Sequence, residues 1–213
     1  MTVVSDILSG AYNRSTRNDP GKLAQDPELT LHLNRVYQRA WPLMARARPD
    51  EFQAEIVVAM NGIPPTGFIP TDTIAVNGGY TAAGTLLTIT PSTDRTRLWN
   101  VAPCVWRSAN TLVSRGQVGD PMTGDLLTLL VLDAPDALVT TTSALDPRWP
   151  IRQVQLLVDY VACYLDTKDA GRDMGDRQKL SAEFAQDVQA FAAEFKLEPA
   201  DVQWLHAPVE RAA

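Results

Sequence analysis

The most informative part of the sequence is Asp146-Pro-Arg-Trp-Pro-Ile-Arg-Gln-Val-Gln-Leu-Leu-Val-Asp-Tyr-Val-Ala-Cys-Tyr-Leu165. Asp146 is a good helix cap, and the two prolines of this stretch fall only at its entry, where a helix tolerates them. Behind them, apolar residues step by 3, 4, 3 and 4 through Ile151, Val154, Val158, Val161 and Leu165. This spacing is that of one helical face, so the stretch predicts a helix with a buried side.

A second apolar stripe follows after the glycine-containing segment 170–176. It steps by 4, 4, 3 and 4 through Leu180, Phe184, Val188, Phe191 and Phe195. Two matched stripes with a short connection predict an antiparallel helix hairpin over residues 148–195. Glu198-Pro199 then interrupts the pattern, which predicts an extended C-terminal tail over residues 196–213.

Residues 1–52 are also predicted to be helical. Apolar residues over 3–11 indicate a first short helix, and Asp26-Pro27-Glu28 has the cap, proline and acid of a helix start. A single apolar face then runs through Leu29, Leu33, Val36, Ala40, Met44 and Ala47. Pro42 lies inside this pattern and is expected to kink the helix or end its regular part.

The middle of the chain, residues 53–147, changes period. Short β-branched or aromatic runs at 55–60, 84–90, 98–101, 105–106 and 126–132 indicate strands. Turn sequences such as Asn61-Gly62 and Asn77-Gly78-Gly79 separate them, and the block holds 8 of the 12 glycines. The pattern is typical of a small antiparallel sheet or barrel.

Together these blocks predict an α+β fold. N-terminal helices (1–52) and a C-terminal helix hairpin (148–195) would complete one helical bundle, with an antiparallel β-rich subdomain (53–147) inserted and a tail at 196–213. At 213 residues the chain is long enough to bury a core without staples. No apolar run approaches the ~20 residues of a membrane helix. Asp6 lies where a secretory signal would be basic or apolar, so export by that route is not expected.

Charge and cysteine content exclude further classes. The net charge is −6, which disfavours a general surface for duplex DNA. Cys104 and Cys163 lie in different patterns, so we expect two buried thiols rather than a disulfide or a zinc site.

Motifs of catalysis are absent from the sequence. It contains no phosphate-binding G-x-x-x-x-G-K-[ST], no G-x-S-x-G and no H-E-x-x-H, and its histidines, His32 and His206, lie in different blocks. Carboxylate pairs such as Asp133/Asp136 and Asp50/Glu51 are compatible with acid–base work on sugars, but solvated loop charge explains them better. Asp166, Asp169, Asp173 and Asp176 lack the spacing of a calcium loop, and solvated charge at the helix ends explains them better. We therefore predict no enzyme and no catalytic, cofactor-binding or metal residue.

The layout as a whole resembles the head-to-tail connector (adaptor) proteins of tailed bacteriophages. Three stretches carry the resemblance: Thr2–Leu8 with Leu29–Arg39, Asp125–Pro150, and Leu156–Asp173 with its Asp169-Ala-Gly-Arg172 turn. Together they span about half of the chain.

The resemblance implies a viral structural protein at the head–tail junction of the virion, assembled in the host cytoplasm. Commonly twelve copies form a ring that binds the portal above and a tail or nozzle protein below. Genomic DNA passes through the ring without specific binding, and no membrane or cofactor is involved. A net charge of −6 per copy fits such a channel, because like charge lets DNA slide.

Two sets of contact residues follow as hypotheses. The cations Arg35, Arg39, Arg46 and Arg48 either lie at contacts between subunits or form a solvated helix face. In the tail, Val202, Trp204, Leu205 and Val209 either dock on the portal or a neighbouring subunit, or pack back on their own hairpin. The loops 63–67 and 116–124 are expected to contact the next tail component or a neighbouring subunit.

Two alternative functions remain open. One is another phage assembly factor, such as a tail-completion protein. The other is a cell-wall hydrolase that uses a carboxylate pair.

Overall fold

The computed structural model describes residues 2–15, 27–91, 103–167 and 174–206. Its helices are α1 (Val4–Arg14), α2 (Pro27–Ala47), α3 (Pro49–Phe52), α4 (Val154–Thr167), α5 (Met174–Phe195) and α6 (Pro199–Val202). Its strands are β1 (Gln53–Ala59), β2 (Thr66–Phe68), β3 (Thr73–Thr81), β4 (Thr88–Pro91), β5 (Cys104–Ser108), β6 (Thr111–Ser114) and β7 (Leu126–Asp133). The predicted α+β class is confirmed.

The chain forms two compact units. The helical unit comprises Met1–Arg48 and Pro135–Ala213, and the β unit comprises Pro49–Ala134. The β unit is therefore inserted between two parts of the helical unit, as the sequence indicated. No helix within the described ranges combines the length and the apolar composition that crossing a bilayer requires.

The first two helices follow their sequence patterns. α2 starts at Pro27, the predicted first helical position, and buries Leu29, Leu33, Val36, Ala40 and Met44 as expected, whereas Ala47, the last residue of the predicted face, is exposed. It continues past Pro42 to Ala47, so this proline does not end it. The fully buried Trp41 and Met44 on either side explain why, since their burial offsets the lost hydrogen bond.

Helix α4 differs from its prediction in one respect. A short 3-10 helix, Ile151–Gln153, precedes it, and Ile151 is 85% exposed although it belongs to the predicted stripe. The helix itself is buried nearly all round, because it packs against α1, α2 and α5. A helix covered on several sides shows no single stripe, which is why the core residues Leu156, Leu157 and Ala162 lie outside the predicted one.

The predicted stripe of α5 is buried throughout, from Leu180 to Phe195. Tyr160 of α4 and Phe184 of α5 meet edge to face, with ring centroids 6.0 Å apart. The segment predicted to connect these helices, including Asp169 and Asp173, lies outside the described residues at 168–173. Asp166 is buried in α4 and is not the solvated helix-end charge that we predicted.

The β unit contains two sheets. One has the strand order β1-β7-β3, and the other has the order β2-β6-β5-β4. Their shared core is apolar and comprises Val58, Met60, Ile69, Leu87, Val105, Leu112, Leu127, Leu129 and Val131. Within the described part of the β unit, the strand pairs are antiparallel except β4 with β5, so the prediction of a purely antiparallel subdomain is wrong at that pair.

Strand β3 overturns a predicted turn. Asn77-Gly78-Gly79 lies inside the strand and pairs with β7 through a bulge between Val76 and Gly78. The glycine has a steric role here, because a Cβ on Gly79 would lie 2.8 Å from Leu129 Cδ2 and 2.9 Å from Thr128 O. Of the predicted strand 84–90, only its end is a strand (β4), because Gly84 instead has a φ of +79° and closes a turn onto Thr81. The predicted run 98–101 lies outside the described residues.

The boundary after the insertion also differs from the prediction. Residues 135–147 belong to the helical unit rather than to the predicted subdomain 53–147. Backbone hydrogen bonds join them to the N-terminus, from Val4 N to Ser143 O at 2.9 Å and from Leu145 N to Thr2 O at 3.0 Å. Asn34 Oδ1 accepts a further bond from Leu138 N at 2.8 Å.

The C-terminal residues up to 206 are not an extended tail. Glu198 and Asp201 form a capping box that starts α6, and a 3-10 helix, Gln203–His206, follows. Local capping thus restarts a helix directly after the Glu198-Pro199 break, where proline at the first helical position is favourable.

Candidate functional site

The most distinctive surface of the β unit is the end farthest from its chain entry and exit. β1 runs away from residue 49 and β7 returns towards residue 134, so the opposite end lies where Ala59 pairs with Leu126. We call this end the distal tip and define it as residues 60–65, 82–87 and 115–126. It includes most of the two loops, 63–67 and 116–124, that the sequence singled out.

Hydrogen bonds join the loops of the distal tip. Met60 N donates to Asp125 O at 2.9 Å, and Gly124 N donates back to Met60 O at 2.8 Å. Thr123 Oγ1 donates to Gly62 O, and Ser114 N, just before the tip, donates to Pro65 O at 2.9 Å. The two loops predicted separately from sequence are therefore one continuous surface.

This surface exposes several large apolar side chains among polar ones such as Asn61, Thr85 and Thr123. Ile63 is 99% exposed, Leu86 is 79% exposed, and Val118 is fully exposed. Met122 and Leu126 are about half exposed beside them. Single exposed apolar residues are ordinary, but five on the loops of one end of a unit are characteristic of an interaction surface.

A buried ion pair holds the 115–120 loop in place. Arg115 donates from Nε to Asp120 Oδ2 at 2.8 Å and from Nη2 to Asp120 Oδ1 at 2.7 Å, with both side chains almost wholly buried. Cys104 N also donates to Asp120 Oδ1 at 3.1 Å. The hydrogen bonds to Asp120 raise the pKa of Arg115, and the two-pronged geometry fixes the loop.

A cleft of about 360 Å³ lies among these loops. Small and apolar residues form most of its wall, including Ala82, Ala83, Pro103, Pro121 and Leu126. Asp120, which is paired with Arg115, and Asp125, which accepts a hydrogen bond from Met122 N at 2.7 Å, are its carboxylates. The cleft therefore presents apolar surface rather than a cluster of free polar groups.

The predicted cations of α2 fall into two groups. Arg35, Arg39 and Arg46 are exposed. Arg48 is instead held within the helical unit, with its Nη2 3.4 Å from Glu194 Oε1 and its guanidinium 4.8 Å from the centre of the Phe195 ring. Arg48 therefore contributes to packing within the helical unit, whereas Arg35, Arg39 and Arg46 remain exposed.

The predicted contact residues of the C-terminus are mostly buried. Val202 and Leu205 pack inward, so the described part of this segment folds back on its own unit, the second of the two alternatives. Trp204 remains partly exposed, with the Arg39 guanidinium 5.6 Å from its ring centre and its Nε1 donating to Asp201 O at 2.6 Å. Val209 lies outside the described residues.

The helical unit contains two neighbouring carboxylates, Asp159 and Asp187, that no sequence pattern indicated. Asp159 of α4 is buried, and its Oδ1 lies 2.8 Å from Arg14 Nε and accepts from Gln155 Nε2 at 2.8 Å. Its Oδ2 is buried and accepts no hydrogen bond from a nitrogen or hydroxyl group, and the side chain of Asp187 lies within hydrogen-bonding reach of the Asp159 carboxyl. Burial, together with the neighbouring Asp187, raises the pKa of Asp159 to about 7, although Arg14 and Gln155 oppose the shift. A charged residue in the middle of an apolar helix sequence was the available signal.

The residues considered for chemistry have structural surroundings. His32 stacks on Tyr164 with ring centroids 3.8 Å apart, and its Nε2 lies 3.9 Å from Glu28 Oε1. Cys104 and Cys163 are buried and unlinked, as predicted. Asp50 and Glu51 form the first turn of α3. Among the described residues, no three His, Cys, Asp or Glu side chains are grouped to hold a metal ion.

The sequence matches no protein-family model, and no curated protein matches it significantly.

Proposed function

We propose that this protein is a structural component of a tailed-phage virion. Copies of it would form a ring that joins the portal to the tail and continues the channel for DNA. The resemblance of its sequence layout to head-to-tail connector proteins supports this assignment. The insertion of the β unit in the sequence, between the two segments of the helical unit, supports it as well.

The observation that carries the proposal is the apolar distal tip. A folded chain that leaves Ile63, Leu86 and Val118 this exposed has a surface suited to burial in an assembly. The hydrogen bonds among the tip loops favour the same role, because a surface that is already ordered loses little entropy on binding.

The helical unit would form the wall of the ring. In this proposal the N-terminal helices and a hairpin of α4 and α5 make one bundle, and the exposed Arg35, Arg39 and Arg46 lie at contacts between subunits. Among the predicted C-terminal contact residues that the structure describes, Trp204 is the one that remains partly exposed, and it would contact the portal or a neighbouring subunit.

The test is to mix the purified protein with portal rings and to image the mixture by negative-stain electron microscopy. We expect rings, twelve-fold as is common in the connectors whose layout the chain resembles, stacked on one face of the portal. Rings that form without portal binding would favour a tail-completion factor instead. A protein that neither assembles nor binds the portal would overturn the proposal.

A further inference from the structure

We propose that Asp159 of α4 and Asp187 of α5 share one proton, and that this proton holds the first half of α5 against α4. The first half of α5 is defined as residues 175–187. Release of the proton lets this half part from α4 while the end of α5 stays in place. The inference concerns the helical unit alone and does not rest on the proposed function.

Among the described residues, three acids face one cation where α1, α4 and α5 meet. Arg14, in the last turn of α1, lies 2.8 Å from Asp159 Oδ1 through its Nε and 2.6 Å from Glu183 Oε2 through its Nη2. Glu183 and Asp187 are four residues apart on α5, so they lie on the same face of the helix. One guanidinium cannot balance three carboxylates, and a bound proton supplies the missing positive charge.

The surroundings of the Asp159 carboxyl fit a proton at Oδ2. The side chain is 1% exposed, and its Oδ1 already accepts hydrogen bonds from Arg14 Nε and from Gln155 Nε2. No nitrogen or hydroxyl group donates to Oδ2, and the side chain within hydrogen-bonding reach is that of Asp187. Ionised carboxylates only accept hydrogen bonds, so two of them can bond to each other only through a proton.

The titration of Asp159 agrees with this geometry. Burial raises the pKa of Asp159 to about 7, the hydrogen bond to Asp187 raises it as well, and Arg14 and Gln155 oppose the rise. Because the two carboxyls interact, the proton belongs to the pair rather than to one residue.

The remaining helix that packs against α4 directs its charges elsewhere. This helix is α2. Its Glu28 accepts a hydrogen bond from Tyr164, and its His32 stacks on the same ring with centroids 3.8 Å apart. Within the described residues, the charge at the shared proton is therefore set by α1 and α5.

The two halves of α5 are attached differently. At the end of the helix, Glu194 Oε2 accepts from Gln153 Nε2 at 2.5 Å, and Glu194 Oε1 lies 3.4 Å from Arg48 Nη2. In the first half, Arg14 and Glu183 are 33% and 40% exposed, so their ion pair adds little to stability. The bond between the two aspartates is therefore the polar contact on which the first half depends.

Opening of the first half releases the proton to water. In the open form both carboxyls are hydrated and ionise in their ordinary range, whereas in the closed form the pKa of Asp159 is about 7. A rise in pH from about 4 to 7 therefore favours the open form, by about tenfold per pH unit for one released proton. Opening also exposes Leu180 and Phe184, so the open form stays the minor one.

Amide hydrogen exchange, followed by mass spectrometry, measures this opening segment by segment. The wild type is compared between pH 5 and 8 with Asp187→Asn, after correction for the intrinsic rate of exchange. In this variant the new amide can donate to Asp159 Oδ2, so no proton is needed. Asp176→Asn is the matched control, because it makes the same change at an exposed position of α5.

In the wild type and the control, we expect the opening of residues 175–187 to rise about tenfold per pH unit from pH 5 to 7 and to level off above pH 7. Residues 188–195 and α2 should not follow this rise. Asp187→Asn should abolish it. In an NMR titration of the wild type, the carboxyl carbons of Asp159 and Asp187 should both shift in the step near pH 7.

Three results would overturn the inference. An equal pH dependence throughout the helical unit would show that the proton controls unfolding of the whole unit. An unchanged dependence in a folded Asp187→Asn variant would exclude Asp187 as the partner. A wild-type titration in which only the Asp159 carbon shifts near pH 7 would exclude a shared proton, and this measurement decides the matter even if the variant does not fold. None of these results bears on ring formation at the portal, which tests the proposed function separately.

Discussion

The two units of the protein each bury a carboxylate beside an arginine, but they satisfy it to different degrees. In the β unit, Asp120 receives two hydrogen bonds from Arg115 and one from Cys104 N, so both of its oxygens are bonded. In the helical unit, Asp159 is bonded at Oδ1 by Arg14 and Gln155, while its buried Oδ2 accepts no bond from a nitrogen or hydroxyl group and the neighbouring side chain is another carboxyl, that of Asp187. A fully bonded pair fixes a loop, whereas a partly bonded carboxyl next to Asp187 makes helix packing depend on pH.

The largest effect is expected from Asp120→Ala. The change leaves the Arg115 guanidinium buried without a counter-charge, which costs about 3–5 kcal/mol of unfolding free energy. Urea titration measures this loss, with Asp125→Ala as the matched control on an exposed carboxylate. Equal losses of unfolding free energy in Asp120→Ala and Asp125→Ala would contradict this prediction. So would a variant with both Arg115 and Asp120 replaced, if it were no more stable than Asp120→Ala.

The second prediction concerns pH. Because the folded pKa of Asp159 is about 7 and the ordinary value is 3.8, the folded state holds this proton more tightly than the unfolded state. The free energy of unfolding should therefore fall as pH rises from about 4 to 7, by on the order of 2–4 kcal/mol through this group.

The measurement is the pH dependence of unfolding for the wild type and for Asp159→Asn, which cannot titrate at this position. Between pH 4 and 7, the free energy of unfolding of the wild type should fall relative to that of Asp159→Asn. Parallel curves would show that the pKa of Asp159 is not raised, and they would contradict the difference drawn here between Asp159 and Asp120.

The third prediction extends the contrast to close packing. Gly79→Ala in β3 would bring its Cβ to 2.9 Å from the backbone oxygen of Thr128, which cannot move away, and should cost about 1–3 kcal/mol. Gly10→Ala in α1 meets Val158 Cγ1 at an ordinary 3.4 Å. It should raise stability by about 0.5–1 kcal/mol, because alanine favours the helix.

Thermal unfolding of Gly79→Ala and Gly10→Ala tests whether the β unit tolerates an added methyl group at position 79 less well than the helical unit does at position 10. Gly78→Ala is a second control within β3, since its Cβ would meet Leu130 Cδ1 at 3.8 Å. Equal losses at positions 78 and 79 would contradict the steric explanation.

The smallest effect is expected from Gln155→Ala. It removes a hydrogen bond to Asp159 Oδ1 and should cost about 1 kcal/mol. Because Gln155 opposes the upward shift, its removal should also raise the pKa of Asp159 further. NMR titration of the Asp159 carboxyl carbon measures this change. An unchanged midpoint would show that the hydrogen bond from Gln155 does not affect the pKa of Asp159.

Sequence patterns predicted the parts of the fold in which local preference and packing agree. The predicted stripe of α5 and that of α2 up to Met44 are buried, because each helix buries a single face, and only Ala47 at the end of the α2 stripe is exposed. The prediction failed for Asn77-Gly78-Gly79, where glycine is required by a neighbouring strand rather than by a turn. It also failed at residues 135–147, whose partners are Val4, Asn34 and other residues far away in sequence.

The candidate site was predictable only in part. The loops 63–67 and 116–124 could be singled out by their prolines and glycines, but the contact between them depends on how β1 and β7 pair. The exposure of Val118 follows from the bonds of Arg115 and Asp120, which no sequence period reveals. The burial of Val202 and Leu205 depends in the same way on packing within the helical unit.

The ends of the inserted β unit are neighbours, because Gln53 near its beginning pairs with Leu132 near its end. Paired strands lie about 5 Å apart, so the inserted segment begins and ends at nearly the same place. A different inserted segment would need only two adjacent strand ends in order to connect to the helical residues on either side. The length and loops of the β unit can therefore diverge between homologous chains without altering the spacing that the helices require.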